Sequence, residues 1–375
     1  MPPHIAVVGA GIVGASIAFH LALRGARVTL IDAAAPGSGA SAVSFAWLNA
    51  RDKTPRHYHD LNRRSLDMWD RFARRLDADL GLSWGGELRW AVTVEGGDQI
   101  AHRVHELQSW GYPIQLLDDD ALAVLEPGLT PGAVTAASCS PADGHVDAPA
   151  VVRACVAGAT ARGAEIRPDT RVTDLHRAGD RIEALQTDAG PIPCDAAVLA
   201  GGPDTAALAA HASIDLPLYH TFGATLFTEP LPPVFRTVSV VHSPRDLPDG
   251  VNFRQFADGS VQIHGGSHGT IRDGGSLGKT NAEVDQVLAT ATRFLPALKD
   301  AAIREIRRGR RPMPRDGLPI LGFTPSAPNL YLATMHSGVT LAALVGECAA
   351  SEILDGADID FLAPYRLARF SDPPA

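Results

Sequence analysis

The feature that most constrains this chain is a glycine-rich segment near its start, HIAVVGAGIVGASIAFHLALRGARVTLIDA. The short apolar run Ile5–Val8 predicts a buried strand, and Ala15–Arg24 has the spacing of a helix. Arg27–Ile31 predicts a second strand, and Asp32 stands at its end. This order is a complete βαβ unit with a dinucleotide-binding fingerprint inside it. The alternative is a glycine-rich turn that binds nothing.

Each part of the fingerprint has a physical reason. Gly9 allows the tight turn after the strand, Gly11 lets a pyrophosphate approach the backbone, and Gly14 lets the helix pack close to the strand. The start of the helix offers unpaired N–H groups to the phosphates. Asp32 would accept hydrogen bonds from ribose hydroxyls and would disfavour a 2′-phosphate. The candidate cofactor-binding residues of this unit are Gly9, Gly11, Ile12, Val13, Gly14 and Asp32.

Composition narrows the possible partners. The 375 residues carry a net charge of −9, with acidic and basic residues interspersed, which argues against nucleic acid and anionic membrane surfaces. No apolar run approaches the roughly 18 residues of a membrane span, and the start of the chain does not resemble a signal peptide. The four cysteines are far apart and form no CxxC pair, so we expect reduced core thiols, a cytoplasmic protein and no metal site.

The order of predicted elements indicates an α/β fold with a discontinuous organisation. Helix-and-strand segments occur at the start, in the middle and at the end of the chain, and two β-rich stretches interrupt them. The sequence therefore predicts a Rossmann-type nucleotide-binding domain made of residues 1–85, 145–215 and 306–375. A β-rich substrate domain, residues 86–144 and 216–305, is inserted twice.

Several elements outside the fingerprint are also predicted. A long helical stretch runs from Pro55 to about Leu80, and the substrate domain begins with a strand over Glu87–Val94. Helices are predicted over Asp98–Trp110 and Asn281–Phe294.

Four motifs, spread from one end of the chain to the other, resemble a known family. They are the fingerprint, the loop GSGASAVSFAWLNA, the strand and turn AAVLAGGPDTAAL, and RRPMPRDGLPILG followed by HSGVTLAALVG. Together they resemble the FAD-dependent amino acid and amine oxidoreductases of the D-amino acid oxidase, glycine oxidase and sarcosine oxidase type. The resemblance implies that the dinucleotide is FAD.

The resemblance also implies which further residues contact the cofactor. The small-residue loop would wrap the ribityl and pyrophosphate region, Trp47 to Ala50 would lie near the flavin ring, and a later turn would approach the cofactor again. The residues that match these positions are Ser38, Gly39, Ala40, Ser41, Trp47, Asn49, Val172, Gly201 and Gly202. Val172 matches the position that touches adenine. Trp47 could equally be a core aromatic residue.

A helix predicted to start near Gly338 matches the family's helix that faces the N1–C2=O edge of the flavin. Negative charge develops at that edge when a flavin is reduced, and a helix N-terminus stabilises it. The candidates are His336, Ser337, Gly338, Val339 and Thr340. Ser337 could also be an ordinary N-cap of this helix.

Arg311 matches the family's arginine that clamps a substrate carboxylate, because it stands directly before Pro312 in GRRPMPRDG. Arginine suits that role since its planar guanidinium binds a carboxylate with two hydrogen bonds. The alternative is a surface salt bridge. Arg254 is a second, weaker candidate.

Departures from the family pattern affect the flavin linkage and the electron acceptor. Gly309 stands where sarcosine oxidases attach flavin through a cysteine, and Ser44-Phe45 stand where others use a histidine, so we expect non-covalent FAD. Gln262 stands at about the position of the sarcosine oxidases' lysine that helps oxygen react. This favours a dehydrogenase that passes electrons to a quinone or dye-type carrier, with O2 as the other possible acceptor. Three histidines of the inserted domain could line the pocket: His220, His264 and His268.

The predicted reaction is oxidation of the C–N bond of a small amino acid or N-substituted amino acid to an imine, by hydride transfer to flavin N5. Arg311, His336 and Gln262 are the candidate catalytic residues. Two alternatives remain: a flavoprotein dehydrogenase that acts on a hydroxy acid or opine, and a flavin subunit of a larger electron-transfer complex.

Overall fold

The computed structural model describes residues 1–247, 250–265 and 281–371. His268 lies outside these ranges. The α-helices are α1 (Ile12–Leu23), α2 (Ala40–Val43), α3 (Arg56–Leu66), α4 (Trp69–Leu76), α5 (Val94–Ser109), α6 (Asp119–Leu125), α7 (Ala148–Thr160), α8 (Thr205–Ala210), α9 (Asn281–Phe294) and α10 (Gly338–Asp355).

Within the described ranges the strands form four sheets. They are β1 (His4–Val8), β2 (Arg27–Ile31), β3 (Trp47–Leu48), β4 (Ser83–Trp84), β5 (Glu87–Ala91), β6 (Gln115–Leu117), β7 (Ala136–Ser140), β8 (Gly144–His145), β9 (Glu165–Arg167), β10 (Val172–Ala178), β11 (Arg181–Thr187), β12 (Gly190–Pro193), β13 (Ala196–Leu199), β14 (Leu218–Thr228), β15 (Val240–His242), β16 (Val251–Gln255), β17 (Val261–Gly265), β18 (Ile303–Pro314), β19 (Ile320–Thr324) and β20 (Ala327–Thr334).

A six-stranded sheet in the order β19-β20-β13-β1-β2-β9 carries the glycine-rich fingerprint. All neighbours are parallel except β19, which is antiparallel to β20. The strand β1 is buried along its whole length, as a strand with both faces covered should be. The helices α1, α7 and α10 pack together beside this sheet. The predicted α/β class with a Rossmann-type unit is confirmed.

An eight-stranded sheet in the order β18-β14-β17-β16-β15-β5-β7-β6 unites the two β-rich stretches of the sequence. They meet where β15 pairs in parallel with β5, since Val240 lies opposite Glu87 and His242 opposite Arg89. The strand β18 extends this sheet by pairing with β14 from Leu218 to Thr228. It therefore crosses the domain boundary that the sequence places at residue 306.

Several predicted elements differ in detail from the structure. The strand expected over Glu87–Val94 ends at Ala91, and the helix expected over Ala15–Arg24 is α1. The long helix expected from Pro55 to about Leu80 is two helices, α3 and α4, separated at Asp67 and Met68. The helix expected from Asp98 begins at Val94, because the Thr93 hydroxyl caps it by accepting a hydrogen bond from the amide N–H of Gly96. Gly96 and Gly97 therefore lie in the first turn of this helix.

Two further observations concern membranes and metals, and both refer to residues 1–247, 250–265 and 281–371. No helix in these ranges is both long and apolar enough to cross a bilayer. No group of three or more His, Cys, Asp or Glu side chains in them is arranged to hold a metal ion.

Candidate active site

A cavity of about 1000 Å³ lies between the six-stranded and eight-stranded sheets. This is the upper end of the range typical of ligand pockets, roughly 300–1000 Å³. Its lining includes most of the residues that the sequence singled out: Gly9, Gly11, Ile12, Val13, Asp32, Ser38, Gly39, Ala40, Ser41, Trp47, Asn49, Val172, Gly201, Gly202, Arg311, His336, Ser337, Gly338, Val339 and Thr340. Gly14 and Gln262 do not line it.

The cavity has two sides of different construction. We call the turns and helix starts of the six-stranded sheet the Rossmann side; it comprises Gly9, Gly11, Ile12, Val13, Asp32, Ser38–Ser41, Val172, Gly201, Gly202 and residues 335–340. We call the opposite lining the arginine side; it comprises Phe45, Trp47, Asp52, Lys53, His242, Arg245, Asn252, His264 and Arg311.

The three glycines of the fingerprint have three different surroundings. Gly9 has a φ of +100°, and a Cβ there would collide with the Ala200 carbonyl. A Cβ on Gly14 would overlap the carbonyl oxygen of Gly9, so this glycine is required by packing of α1 on the strand. A Cβ on Gly11 would lie in ordinary contact, 3.5 Å from the Ser41 hydroxyl, and Gly11 lines the cavity. The space at Gly11 is therefore open to a ligand.

Asp32 is held rigidly at the Rossmann side. One carboxylate oxygen accepts from the Ala10 amide at 2.7 Å, and the other accepts from the Ala34 amide at 2.9 Å. A carboxylate has about four acceptor positions, so both oxygens keep capacity for hydroxyl donors in the cavity.

Ser41 joins the small-residue loop to the fingerprint. Its hydroxyl accepts a hydrogen bond from the Ile12 amide at 3.0 Å, which occupies one of the unpaired N–H groups at the start of α1. This hydrogen bond holds the small-residue loop against the start of α1, beside the glycine turn.

The long helix α10 begins with Gly338 at the cavity wall. Ser337 precedes it, but its side chain does not cap the helix; it accepts a hydrogen bond from the Tyr58 hydroxyl at 2.7 Å. The interpretation of Ser337 as a side-chain N-cap is therefore wrong. Burial raises the pKa of Tyr58 to about 12, so the phenol remains a donor. The positive end of the helix dipole faces the cavity.

Trp47 is both a cavity residue and part of a buried network. Its indole N–H donates to Asp143 at 2.9 Å, and its ring lies 4.4 Å from the His242 ring. The hydroxyl of Thr340 donates to the Trp47 carbonyl at 3.2 Å, which ties this loop to the first turn of α10.

Arg311 projects from β18 into the cavity across Gly223 of the neighbouring strand. A Cβ on Gly223 would lie 2.5 Å from the arginine Nη2, so glycine leaves the guanidinium its place. Nη2 lies 2.7 Å from Nε2 of His264. Within the described part of the chain no carboxylate forms an ion pair with Arg311, and burial lowers its pKa.

The contact with Arg311 fixes the tautomer of His264. Guanidinium nitrogens only donate, so Nε2 of His264 accepts and the ring proton resides on Nδ1. Nδ1 lies 3.1 Å from the Thr225 hydroxyl, which donates onward to the Val43 carbonyl at 3.0 Å. The guanidinium is therefore positioned by a neutral histidine, and its charge is not cancelled.

The other inserted-domain candidates lie elsewhere. Gln262 is fully buried and outside the cavity lining, because its side chain accepts from Arg254 and donates to the Ser44 carbonyl at 3.0 Å. The residue of β17 that reaches the cavity is His264, two positions on. Arg254 is also buried outside the lining, and burial lowers its pKa to about 9. His220 is not in the lining.

Two buried carboxylates beneath the arginine side have opposite pKa shifts. Burial would raise the pKa of Glu87, but Arg51 at 2.7 Å and Arg89 at 3.0 Å lower it to about 2. Burial and the nearby charge of Glu87 raise the pKa of Asp143 to about 7. Hydrogen bonds from Trp47, Tyr112 and Ser140 converge on Asp143.

Sequence reasoning missed Tyr58 and several lining residues of the arginine side: Asp52, Lys53, His242, Arg245 and Asn252. His242 and Asn252 are cross-strand neighbours, and Asn252 is in turn opposite His264. This pairing joins segments whose register no local motif predicts. For Lys53, the signal was its position three residues after the predicted flavin-contacting stretch.

None of the four cysteines lines the cavity; all four are buried and free. Gly309, Ser44 and Phe45, which the sequence resemblance matches to covalent-attachment positions, do line it.

Comparison with known proteins places this arrangement in a family. The model of the family DAO, described as "FAD dependent oxidoreductase", matches residues 4–352. Glycine oxidase of Geobacillus kaustophilus (strain HTA426) is 29% identical over 97% of this chain and 96% of its own length. An opine oxidase component of Agrobacterium tumefaciens (strain Ach5) is 30% identical over 97% of this chain and 96% of its own. The crystal structure of glycine oxidase from Geobacillus kaustophilus has a TM-score of 0.85 at 27% identity, covering 98% of this chain and 99% of that one. The chain belongs to the DAO family of FAD-dependent oxidoreductases.

Proposed function

We propose that this enzyme oxidises the C–N bond of a small amino acid or N-substituted amino acid, and that it holds FAD without a covalent bond. The observation that carries the substrate assignment is Arg311. Its guanidinium lines the cavity, is partly desolvated, and has no carboxylate partner within the described residues. A substrate carboxylate would supply the missing counter-charge through two parallel hydrogen bonds.

The Rossmann side fits FAD. The open space at Gly11 admits a pyrophosphate, Asp32 retains acceptors for ribose hydroxyls, and α10 directs its positive end at the cavity. Gly14 supports this site through packing and does not line the cavity. The non-covalent attachment is inferred from Gly309 and Ser44-Phe45, which offer neither a thiol nor an imidazole, and from the absence of cysteine from the lining.

The arginine side would bind and orient the substrate. Arg311 would hold the carboxylate and thereby fix the direction of the adjacent C–H bond. Positive charge from Arg311, Lys53 and Arg245 would disfavour a protonated amine and keep the nitrogen lone pair available. His242 is neutral at pH 7, because burial lowers its pKa to about 4. The site therefore functions without a strong general base.

FAD, when bound, supplies at flavin N5 the acceptor for the hydride that leaves the substrate α-carbon. The helix N-terminus at Gly338–Thr340 would stabilise the negative charge that accompanies this transfer. The imine then hydrolyses to an oxo acid or aldehyde and an amine.

Arg311→Ala tests the substrate assignment. Removing one partner of a buried charged hydrogen bond costs about 2–5 kcal/mol, so kcat/KM for the best carboxylate substrate should fall at least about 30-fold. Arg311→Lys should recover part of the lost kcat/KM, since lysine keeps the positive charge but cannot form the two parallel hydrogen bonds of a guanidinium. Arg315→Ala is the matched control, because Arg315 is exposed and stacks on Phe370 away from the cavity. Unchanged turnover by Arg311→Ala would refute the assignment.

The cofactor and acceptor proposals need separate tests. Acid precipitation of the purified yellow protein should release FAD into the supernatant; colour retained in the pellet would refute non-covalent binding.

We further propose a quinone or dye-type acceptor, because β17 contains no lysine. Reduced enzyme should then reoxidise faster with a quinone than with air, and rapid peroxide formation would contradict this. The four free, buried thiols support a cytoplasmic location.

A further inference from the structure

A second cationic group lies on the arginine side, apart from Arg311. Arg245 and Lys53 both line the cavity, and the Arg245 side chain is 52% exposed. Arg245 approaches Asp52 only to 3.7 Å, whereas Arg89 donates to both Asp52 oxygens at 3.2 and 2.9 Å. The acid is thus occupied by Arg89, and the Arg245 donors remain available to a ligand.

Among the described residues, the charge around this group is unbalanced. Two ionised carboxylates face four cations: Asp52 and Glu87 against Arg51, Arg89, Arg245 and Lys53. Even a fully ionised Asp143 would leave one excess positive charge. Burial lowers the pKa of Lys53; the charges of Asp52 and Asp143 oppose this shift, and the nearby charge of Arg245 adds to it. An anion bound between the two cations would stabilise both charged forms.

The sheet register separates this group from Arg311. His242 on β15 lies opposite Asn252, and Asn252 lies opposite His264, the residue that positions Arg311. Neighbouring strands are about 4.8 Å apart, so the two histidines are separated by about 10 Å. Arg245 follows His242 by three residues and lies at the β15 end of this row. The cavity therefore presents cationic side chains at two places, with the polar side chain of Asn252 between them.

We propose that the preferred substrate is a secondary amine with a carboxylate on each side of the nitrogen, an N-(carboxyalkyl) amino acid. One carboxylate binds Arg311 and the other binds Arg245 and Lys53. This rests on the proposed function and uses the same chemistry. The C–H electron pair reduces FAD and the amine proton goes to solvent. Water then hydrolyses the imine to an oxo acid and a primary amino acid.

The test compares two probes that differ by one carboxylate, iminodiacetate and sarcosine. Flavin reduction by the holoenzyme is followed without oxygen. We expect kcat/KM at least about tenfold higher for iminodiacetate. Arg245→Gln should lower it tenfold or more for iminodiacetate and less than threefold for sarcosine, and Lys53→Gln should act in the same direction. Arg315→Gln is the control, with FAD content measured for each variant.

The outcomes separate this inference from the proposed function. Equal kcat/KM for iminodiacetate and sarcosine overturns the dicarboxylate inference alone. So does an equal fall in kcat/KM for the two probes in Arg245→Gln. Arg311→Ala should impair both probes, and its failure to do so overturns the proposed function. Flavin reduction by neither probe overturns the dicarboxylate inference, while reduction by other amino acids would still uphold the proposed function.

Discussion

The Rossmann side and the arginine side of the cavity differ in the chemical groups that line them. On the Rossmann side the lining is mainly backbone: glycine turns, amide N–H groups and the start of α10. On the arginine side the lining is formed by polar and charged side chains on segments far apart in sequence, such as Asp52, His242 and Arg311. Backbone groups need only the correct turn, whereas buried charges need partners to offset their desolvation. The Rossmann side should therefore determine how tightly FAD is held. The arginine side should determine substrate specificity and the pH dependence of stability.

The largest effect is expected from the fingerprint glycines. Gly14→Ala places a methyl group on the Gly9 carbonyl, so the turn must shift and both folded protein and bound FAD should be lost. Gly11→Ala meets only ordinary contacts and should keep the thermal stability of the apoprotein while weakening FAD binding at least about tenfold. Thermal melting and FAD content of both variants make the comparison. Tight FAD binding by Gly11→Ala would contradict a ligand role for that position.

A smaller effect is expected from Asp143 beneath the arginine side. Its pKa is raised to about 7, so the folded state holds the proton more tightly than the unfolded chain. The free energy of unfolding should therefore fall as the pH rises from about 4 to about 7, by up to about 4 kcal/mol. Asp143→Asn should remove this slope, as followed by denaturant unfolding across that range.

Glu87 provides the internal control for the Asp143 measurement. Its pKa is lowered to about 2, so it stabilises the fold above pH 4.5 and that contribution disappears as the pH falls toward 2. This loss of stability at acid pH should persist in the Asp143→Asn variant. A variant that keeps the slope between pH 4 and 7 would show that another group causes it.

The smallest effect is expected from His264, which positions Arg311. His264→Leu removes an acceptor from a charged donor and should raise KM for a carboxylate substrate about tenfold, with little change in FAD content. His264→Gln keeps an acceptor and should lose less. Equal losses in the two variants would argue that the histidine acts by size and not by its hydrogen bond with Arg311.

The contrast between the two sides also explains what the sequence could predict. The fingerprint, its acid Asp32 and the α10 start are local patterns whose geometry follows from a few neighbouring residues, and the structure brings them to one cavity. Arg311 was found through a motif. Lys53, Arg245 and Asn252 carry no motif, because their meeting depends on the pairing of β15, β16 and β17. Gln262 was predicted as a catalytic residue for the same reason. Strand alternation predicts which face of β17 a side chain is on, but not which residue along that face reaches the cavity.

The most direct test of the account is a carboxylate titration of the oxidised holoenzyme. Acetate has the carboxylate of the proposed substrate and no amine to oxidise, so binding can be followed by the flavin absorbance without turnover. We predict saturable binding to the wild type and to Arg315→Ala, and a Kd raised at least about 30-fold in Arg311→Ala at equal FAD content. An unchanged acetate Kd in Arg311→Ala would contradict the central claim that Arg311 holds the substrate carboxylate.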